Sequence, residues 1–507
     1  MSLATLQIWD QGPEELWVYL ILLCSIFIFY IIWDYLRCVR LALSLEGPRA
    51  IPFLGNIQDV TKDNLVERLN GEALSYGPIF RLWITIIPYV IVLEPADIKT
   101  ILGSSKHNEK ISFYKLLDNF LGKGLITKDV ETWRIHRKIL QPAFHIQILE
   151  RFIKNFNGCA DRLVKKLSLK DHESINITTY LNDSIYDILS ETVLGLSSTD
   201  SDIKKDLPFR KGELMVLQRV SQPWLLIDWI YSWTKAGKEE QKQRKNLHDT
   251  CCKMMEERRE LIRRKGPSIN SEDDPCNNMS LLEYMVEVNE KNPYFTDEDI
   301  IEECCTFMLA GQDSVGTASA MTLFLLAKHQ NWQNKCKQEI NAILEDHSKS
   351  PSIRDFREMK ILEMCIKEAM RLYPSVPFFA RTLGEDVKLG KHIVPAGCGV
   401  FIVPYTTHRM SKHFSEPDSF KPERFNPENN EKRHPYSYLP FSAGPRNCIG
   451  HKFAMLEMKA LISAILRRFR LETITGKEDI KPKFRLTVRA QGGLWVRLID
   501  ETTHTNS

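Results

Sequence analysis

The chain has 507 residues, with 68 Lys and Arg against 65 Asp and Glu, a net charge of +3 and 43% hydrophobic residues. That balance excludes a disordered chain and leaves no global basic excess for binding nucleic acid. Its 12 cysteines form no CxxC pair and no framework spacing, which excludes a disulfide scaffold and a zinc ribbon and points to a reducing compartment.

The first element is Leu16 to Trp33, an uncharged stretch that spans about 27 Å as a helix, enough to cross a bilayer once. Asp10, Glu14 and Glu15 precede it and no small-residue cleavage site follows, so it does not read as a cleaved signal peptide. Trp17, Tyr19, Tyr30 and Trp33 lie towards its ends, and Arg37, Arg40 and Arg49 follow, which places the long C-terminal part on the cytosolic side. An Arg-rich mitochondrial presequence is missing. From Gly47 to Gly55, two prolines and two glycines predict a stiff, turning connector.

Residues 79–95 read as two short β-branched runs around Pro88. Helical periodicity then dominates to about residue 373, after which Pro and Gly become frequent and short strands such as Gly493 to Leu498 follow. Within the helical part, Trp224 to Trp233 reads equally as a membrane-dipping segment and as a packed core helix. Thr296 and Asp299 predict a capping pair, with Phe295 and Ile300 as a staple, opening a helix that runs to about Lys328. Gly266 to Asn278 is of low complexity and reads as a loop. The fold class is mainly α with minor β (α+β), preceded by one transmembrane helix.

The strongest chemical signal is Phe441-Ser-Ala-Gly444-Pro-Arg446-Asn-Cys448-Ile-Gly450. Taken alone this is a glycine-flanked cysteine in a loop ahead of a helix, for which a buried free thiol is the bland account. It resembles the haem-binding loop of the cytochrome P450 superfamily, FxxGxRxCxG, at all five fixed positions. The resemblance implies the P450 fold, haem b (iron protoporphyrin IX), Cys448 as the axial iron ligand, and Phe441, Gly444, Arg446 and Gly450 as its cradle.

Other segments agree with it. Glu368 and Arg371 sit at i,i+3 near the end of a helix limited by Pro374 and resemble the superfamily's ExxR pair, with Arg424 as the third member of a buried structural network. Trp133 and Arg137 lie four apart on one helical face that Pro142 soon closes; with Arg381 and Arg446 they resemble the family's propionate-binding set. Ala310-Gly311-Gln312-Asp313-Ser314 resembles the family's oxygen-activating turn. There the small pair leaves room for dioxygen, and Asp313 and Ser314 bring protons, although Ser314 stands where Thr is commoner. No GxGxxG follows a strand and no Walker sequence is present, so electrons are expected from NADPH-cytochrome P450 reductase, with cytochrome b5 as an additional donor. Arg134, His136, Lys138, Lys421, Arg433 and Lys452 are candidates for the docking face.

Within the superfamily the chain most resembles family 4, through Arg219 to Gly237, Gly124 to His145 and the cysteine loop. The best-known members hydroxylate fatty acids at or near the methyl end. Two departures matter. Ala310 replaces a Glu that bonds covalently to haem in many members, which implies non-covalent haem, and Gln312 replaces a frequent His. The expected organisation is an anchor over 1–36 with its span at about 16–33, a basic Pro/Gly linker over 37–56, a catalytic domain over 57–499 and a polar tail over 500–507. The expected function is a monooxygenase of the endoplasmic reticulum membrane, facing the cytosol, that inserts one oxygen atom of O2 into a fatty acid, hydrocarbon, terpenoid, hormone or xenobiotic. A haem-thiolate isomerase or hydroperoxide-rearranging enzyme is the alternative, but these tend to lack the Asp-Ser pair; a non-catalytic haem sensor is another, but no motif is degraded. The sequons at Asn176, Asn182 and Asn278 offer a topology check, since glycans there contradict the cytosolic orientation.

Overall fold

The computed structural model describes residues 13–57, 65–197, 219–220, 222–265, 279–345, 349–430, 433–484 and 487–501. The low-complexity segment from Gly266 to Asn278, most of the polar tail and the sequon at Asn278 lie outside them.

Helix α1 (Pro13–Ser44) carries the apolar span, and among the described residues it is the one helix long and apolar enough to cross a membrane. It runs unbroken past Trp33. Beyond that point Cys38 and Ala42, with Leu45 just after the helix, are buried against the rest of the molecule, Arg37 pairs with Asp386, and the Tyr35 hydroxyl donates to the Ile86 carbonyl at 3.1 Å. The connector then turns at Gly55, where φ is +65° and an added Cβ would sit 2.6 Å from the Trp83 carbonyl oxygen.

Strands β1 (Ile79–Ile84) and β2 (Ile87–Val92) are antiparallel. The break falls at Thr85, which has φ +57°, and not at Pro88, which pairs opposite Trp83 within β2. A proline near the start of a strand loses only an N–H that the ladder does not need there.

The helical body contains α2 (Val130–Leu140), α3 (Ile153–Leu167), α4 (Ile177–Thr192), the short α5 (Asp228–Trp233), α6 (Asp297–Lys328) and α7 (Lys360–Leu372). α6 begins with the expected reciprocal cap between Thr296 and Asp299, and Phe295 and Ile300 are both fully buried. It is apolar on nearly all sides and accordingly runs through the core, packed on α4 and α7. In the segment leading into α5, Leu225 and Tyr231 are buried while Trp224, Trp229 and Trp233 are 57, 63 and 76% exposed. The packed-core reading therefore fails for all three tryptophans.

Strands β3 (Phe379–Thr382) and β4 (Gly399–Ile402) complete a four-stranded sheet in the order β1-β2-β4-β3, with β2 and β4 parallel. Helix α8 (His451–Arg468) follows the cysteine loop and packs on α3 and α6. Near the end, β5 (Pro482–Phe484) and β6 (Val488–Ala490) form a hairpin, and a last strand, Trp495–Asp500, begins two residues after the expected start because Gly492 and Gly493 both take positive φ.

Candidate functional site

A cavity of about 770 Å³ opens between the middle of α6, the sheet and the loop that leads into α8. Ala310, Gly311, Asp313 and Ser314 line it, as do Trp133, Arg137, Arg381, Phe441, Arg446, Cys448 and Gly450. Gly444, in the same loop, does not line the cavity, and Glu368, Arg371 and Arg424 lie outside it.

The loop is closed by the Cys448 N–H donating to the Phe441 carbonyl at 3.0 Å. Gly444 has φ +76°, and an added Cβ would fall 1.8 Å from the Leu102 carbonyl oxygen, so only glycine fits. At Gly450 an added Cβ would meet only the Phe144 ring, at 3.8 Å; what Gly450 supplies is a backbone N–H near Cys448 that lowers its thiol. Cys448 is open to the cavity but walled from bulk water by the fold. Burial pushes its thiol up, while the Gly450 N–H and the Arg137 guanidinium pull it down.

Around one end of the cavity cations outnumber anions. Arg137 donates from both terminal nitrogens to the Asn447 carbonyl and side-chain oxygens at 2.8 Å, tying α2 to the cysteine loop. Arg446 donates to the Asn108 and Lys128 carbonyls at 2.8 and 2.5 Å and lies 5.1 Å from the Trp133 ring, yet its buried Nε has no partner. Arg381 is buried in β3 and donates to its neighbour's carbonyl. Lys110, which no spacing in the sequence singles out, reaches the same place, with its ammonium 4.2 Å from the centre of the Tyr114 ring. Among the described residues no carboxylate lies within 4 Å of Lys110, Arg381 or Arg446. Burial and then mutual repulsion drive Lys110 well below the usual lysine range, and the same two causes bring Arg446 down to about 10.

The Glu368 network is the opposite case. Arg371 grips both Glu368 oxygens at 2.8 and 2.9 Å, and Arg424 and the Lys421 N–H add bonds at 3.3 and 2.8 Å. The remaining Arg371 donors reach the carbonyls of His408, Pro417 and Ser419.

On α6, the Ser314 hydroxyl donates to the Ala310 carbonyl one turn back at 2.8 Å, and the Ser375 hydroxyl donates to the Ser314 carbonyl at 2.7 Å. An added Cβ at Gly311 would lie 3.1 Å from Leu189, so α4 closes on the helix there. The Asp313 carboxylate accepts from the Thr487 hydroxyl and the Arg489 guanidinium, both in the C-terminal hairpin region and both missed by sequence reasoning.

The candidate docking residues separate. Arg134, Lys138 and Lys452 are exposed. His136 is not available: it is buried, with its nitrogens 2.8 Å from Glu303 and 3.4 Å from Asp299. It shares the inward face of α2 with Trp133 and Leu140, three and four residues away, which is the signal that places it inside. Arg433 lies over the Phe414 and Phe425 rings, and Lys421 pairs with Glu416.

A family model described as Cytochrome P450 matches residues 45–495. The chain is similar to "Probable cytochrome P450 4aa1" of Drosophila melanogaster, 48% identical over 95% of this chain and 94% of that protein. It is 36% identical to "Cytochrome P450 4c3" of Drosophila melanogaster over 94% of this chain and 93% of that protein. It is also 36% identical to "Cytochrome P450 4V2" of Homo sapiens, over 84 and 83% of the two chains.

Proposed function

The chain belongs to the cytochrome P450 family, and within it to family 4, and from that premise we propose that it oxidises a lipophilic small molecule at the endoplasmic reticulum membrane, with its catalytic domain facing the cytosol. As a member of that family it is an oxidoreductase, a haem-thiolate monooxygenase. One observation carries the reading: Cys448 and the Ala310–Ser314 face share a single cavity whose lining, apart from its cationic end, is mostly apolar and includes Leu69, Leu82, Ile91, Phe113, Phe378 and Phe484.

Haem fits the residues present. Cys448 would ligate its iron, and the carboxylates that Lys110, Arg381 and Arg446 lack are what the two propionates would bring, with Arg137 and Trp133 alongside. When bound, haem supplies the activation of dioxygen and the insertion of one oxygen atom into carbon. The protein's part is distinct. Gly450 N–H and Arg137 spread the thiolate charge, and the apolar walls exclude water and hold substrate. Ser314 must turn its hydroxyl away from the Ala310 carbonyl to offer a proton to the cavity, and Asp313 restores it. Ala310 has no carboxylate with which to form an ester, so the haem is held without a covalent bond.

Electrons would come from NADPH-cytochrome P450 reductase or cytochrome b5, docking on the exposed Arg134, Lys138 and Lys452. The outward Trp224, Trp229 and Trp233 suit a second contact with the bilayer besides α1.

The test is a set of three measurements on the anchored protein. The reduced protein is expected to give a thiolate-type CO spectrum that Cys448→Ser abolishes; its survival in that variant overturns the ligand assignment. NADPH consumption with added reductase should rise with one member of a panel of fatty acids, hydrocarbons, terpenoids and xenobiotics. Acidified solvent should extract the haem and leave a polypeptide of unmodified mass.

A further inference from the structure

We propose that the stretch from Lys128 to Arg137 is a two-rung brace that sets the width of the gap between the cysteine loop and α6, with Lys128 and His136 as its positioning residues; the proposal rests on the monooxygenase reading above, which puts haem in that gap. Hydrogen bonds at both ends of the stretch carry it. In one rung the Lys128 carbonyl accepts from the Arg446 guanidinium at 2.5 Å, while the Lys128 ammonium pairs with Asp299 of α6 at 2.9 Å. In the other, Arg137 donates to the Asn447 carbonyl and side-chain oxygens at 2.8 Å, and its neighbour His136 lies with Nδ1 2.8 Å from Glu303 and Nε2 3.4 Å from Asp299. Arg446 and Asn447 immediately precede Cys448, so each rung runs from the loop of the iron ligand to α6.

The α6 end of the brace is well placed to fix that gap. Asp299, Glu303, Thr306 and Ala310 succeed one another at four, three and four residues, which is one stripe along a helix. The rungs therefore hold the face of α6 that lines the cavity at Thr306 and Ala310, and Glu303 stands about 10 Å from Ala310 along the axis. The same stripe grips the chain just ahead of the brace: the Thr306 hydroxyl donates to the Leu121 carbonyl at 2.8 Å, and Glu303 accepts from the Leu125 N–H at 3.0 Å. Two glycines allow this approach, since a Cβ at Gly122 would collide with Glu302 and one at Gly124 with Thr306.

A single tie would act as a pivot and leave α6 free to tilt away from the loop. Two ties, one just ahead of α2 and one in its middle, fix both a distance and an angle. Water cannot readily replace either: Glu303 is fully buried, His136 is 2% exposed and the Lys128 side chain 10%. The gap is thus set by the chain before anything enters it. A bulky group seated there must push α6 against both rungs, whereas a small one need not.

The experiment compares Lys128→Met, His136→Phe, His136→Asn and a double variant combining Lys128→Met with His136→Phe against the parent protein, each full-length, anchored and haem-loaded. One reading is the ratio of the spectral dissociation constants for 4-phenylimidazole and imidazole, a bulky and a small ligand of the same iron. The other is amide hydrogen exchange over 121–140. Each single cut is expected to lower the ratio about two-fold, because the remaining rung limits the change. The double variant should lower it about ten-fold, more than the two single effects combined, with faster exchange. His136→Asn, whose amide can stand in for Nδ1 against Glu303, should restore the parent ratio. A parent-like ratio in the double variant overturns the proposal. So does equal weakening of both ligands with faster exchange, which makes the stretch a support of the fold alone, and so does His136→Asn behaving like His136→Phe. Neither reading needs reductase or turnover, so a parent protein that binds both ligands but consumes no NADPH counts against the monooxygenase reading instead, and the ratio still decides the brace.

Discussion

Two of the charge clusters in this molecule differ in whether they are complete. Around Glu368, two arginines and a backbone N–H surround one carboxylate, and the Arg371 donors that do not face it end on carbonyl oxygens. Around Lys110, Arg381 and Arg446 there are three cations, an orphaned Nε and, among the described residues, no carboxylate in contact. A cluster that is satisfied within the chain holds the fold, whereas one that the chain leaves unbalanced describes the charge of something it is built to hold.

The largest effect should come from breaking the closed cluster. Arg371→Ala strands Glu368 without its main partner in the core and is expected to cost about 3 to 5 kcal/mol in denaturant unfolding, with loss of the CO spectrum. Next is acid. His408 lies beside this cluster, its carbonyl accepting from Arg371: its Nε2 accepts from the Leu439 N–H, and burial, reinforced by the nearby Arg371, pushes its pKa from 6.5 down to about 3. Between those two values the unfolded chain takes up a proton that the native state refuses. Stability should therefore fall as pH drops below 6.5, by about 1.4 kcal/mol per unit, and stop falling from this cause near 3. Replacing His408 by Gln should flatten that slope in denaturant titrations at a series of pH values. The smallest effect tests the open cluster. Lys110→Met removes one of three mutually repelling cations, so the haem-free protein should gain about 1 kcal/mol while the loaded protein releases haem faster to an acceptor such as apomyoglobin. Loss of stability in the haem-free form would make the two clusters alike and remove the distinction between them.

What could be read from the sequence was what lies close together along it. The cysteine loop, the Glu368/Arg371 pair and the Thr296 cap each occupy ten residues or fewer, and each takes the predicted local form. α1 likewise follows from an uninterrupted apolar run. Contacts made by distant segments had no such signature. Lys110 reaches the cavity because its loop is held against β3, where the Thr382 N–H donates to the Glu109 carbonyl. Asp313 finds Thr487 and Arg489 only because the C-terminal hairpin folds back over α6. Where the error was avoidable, periodicity held the answer: Trp133, His136 and Leu140 trace one inward stripe, so a histidine between two exposed cations was still a core residue. The three tryptophans around α5 show the reverse, since an apolar segment need not be a buried one.

The unbroken run of α1 past the end of its apolar span has a geometric result. With Arg37 paired to Asp386, Tyr35 bonded to the Ile86 carbonyl, and Cys38 and Ala42 packed inside, the helix is a shaft keyed to the domain and not a tether. Each residue added or removed between Trp33 and Tyr35 would move the domain by about 1.5 Å along the helix axis and rotate it by about 100° around that axis relative to the apolar span. The bearing of the cavity relative to the apolar span is thus set by counting residues in one helix.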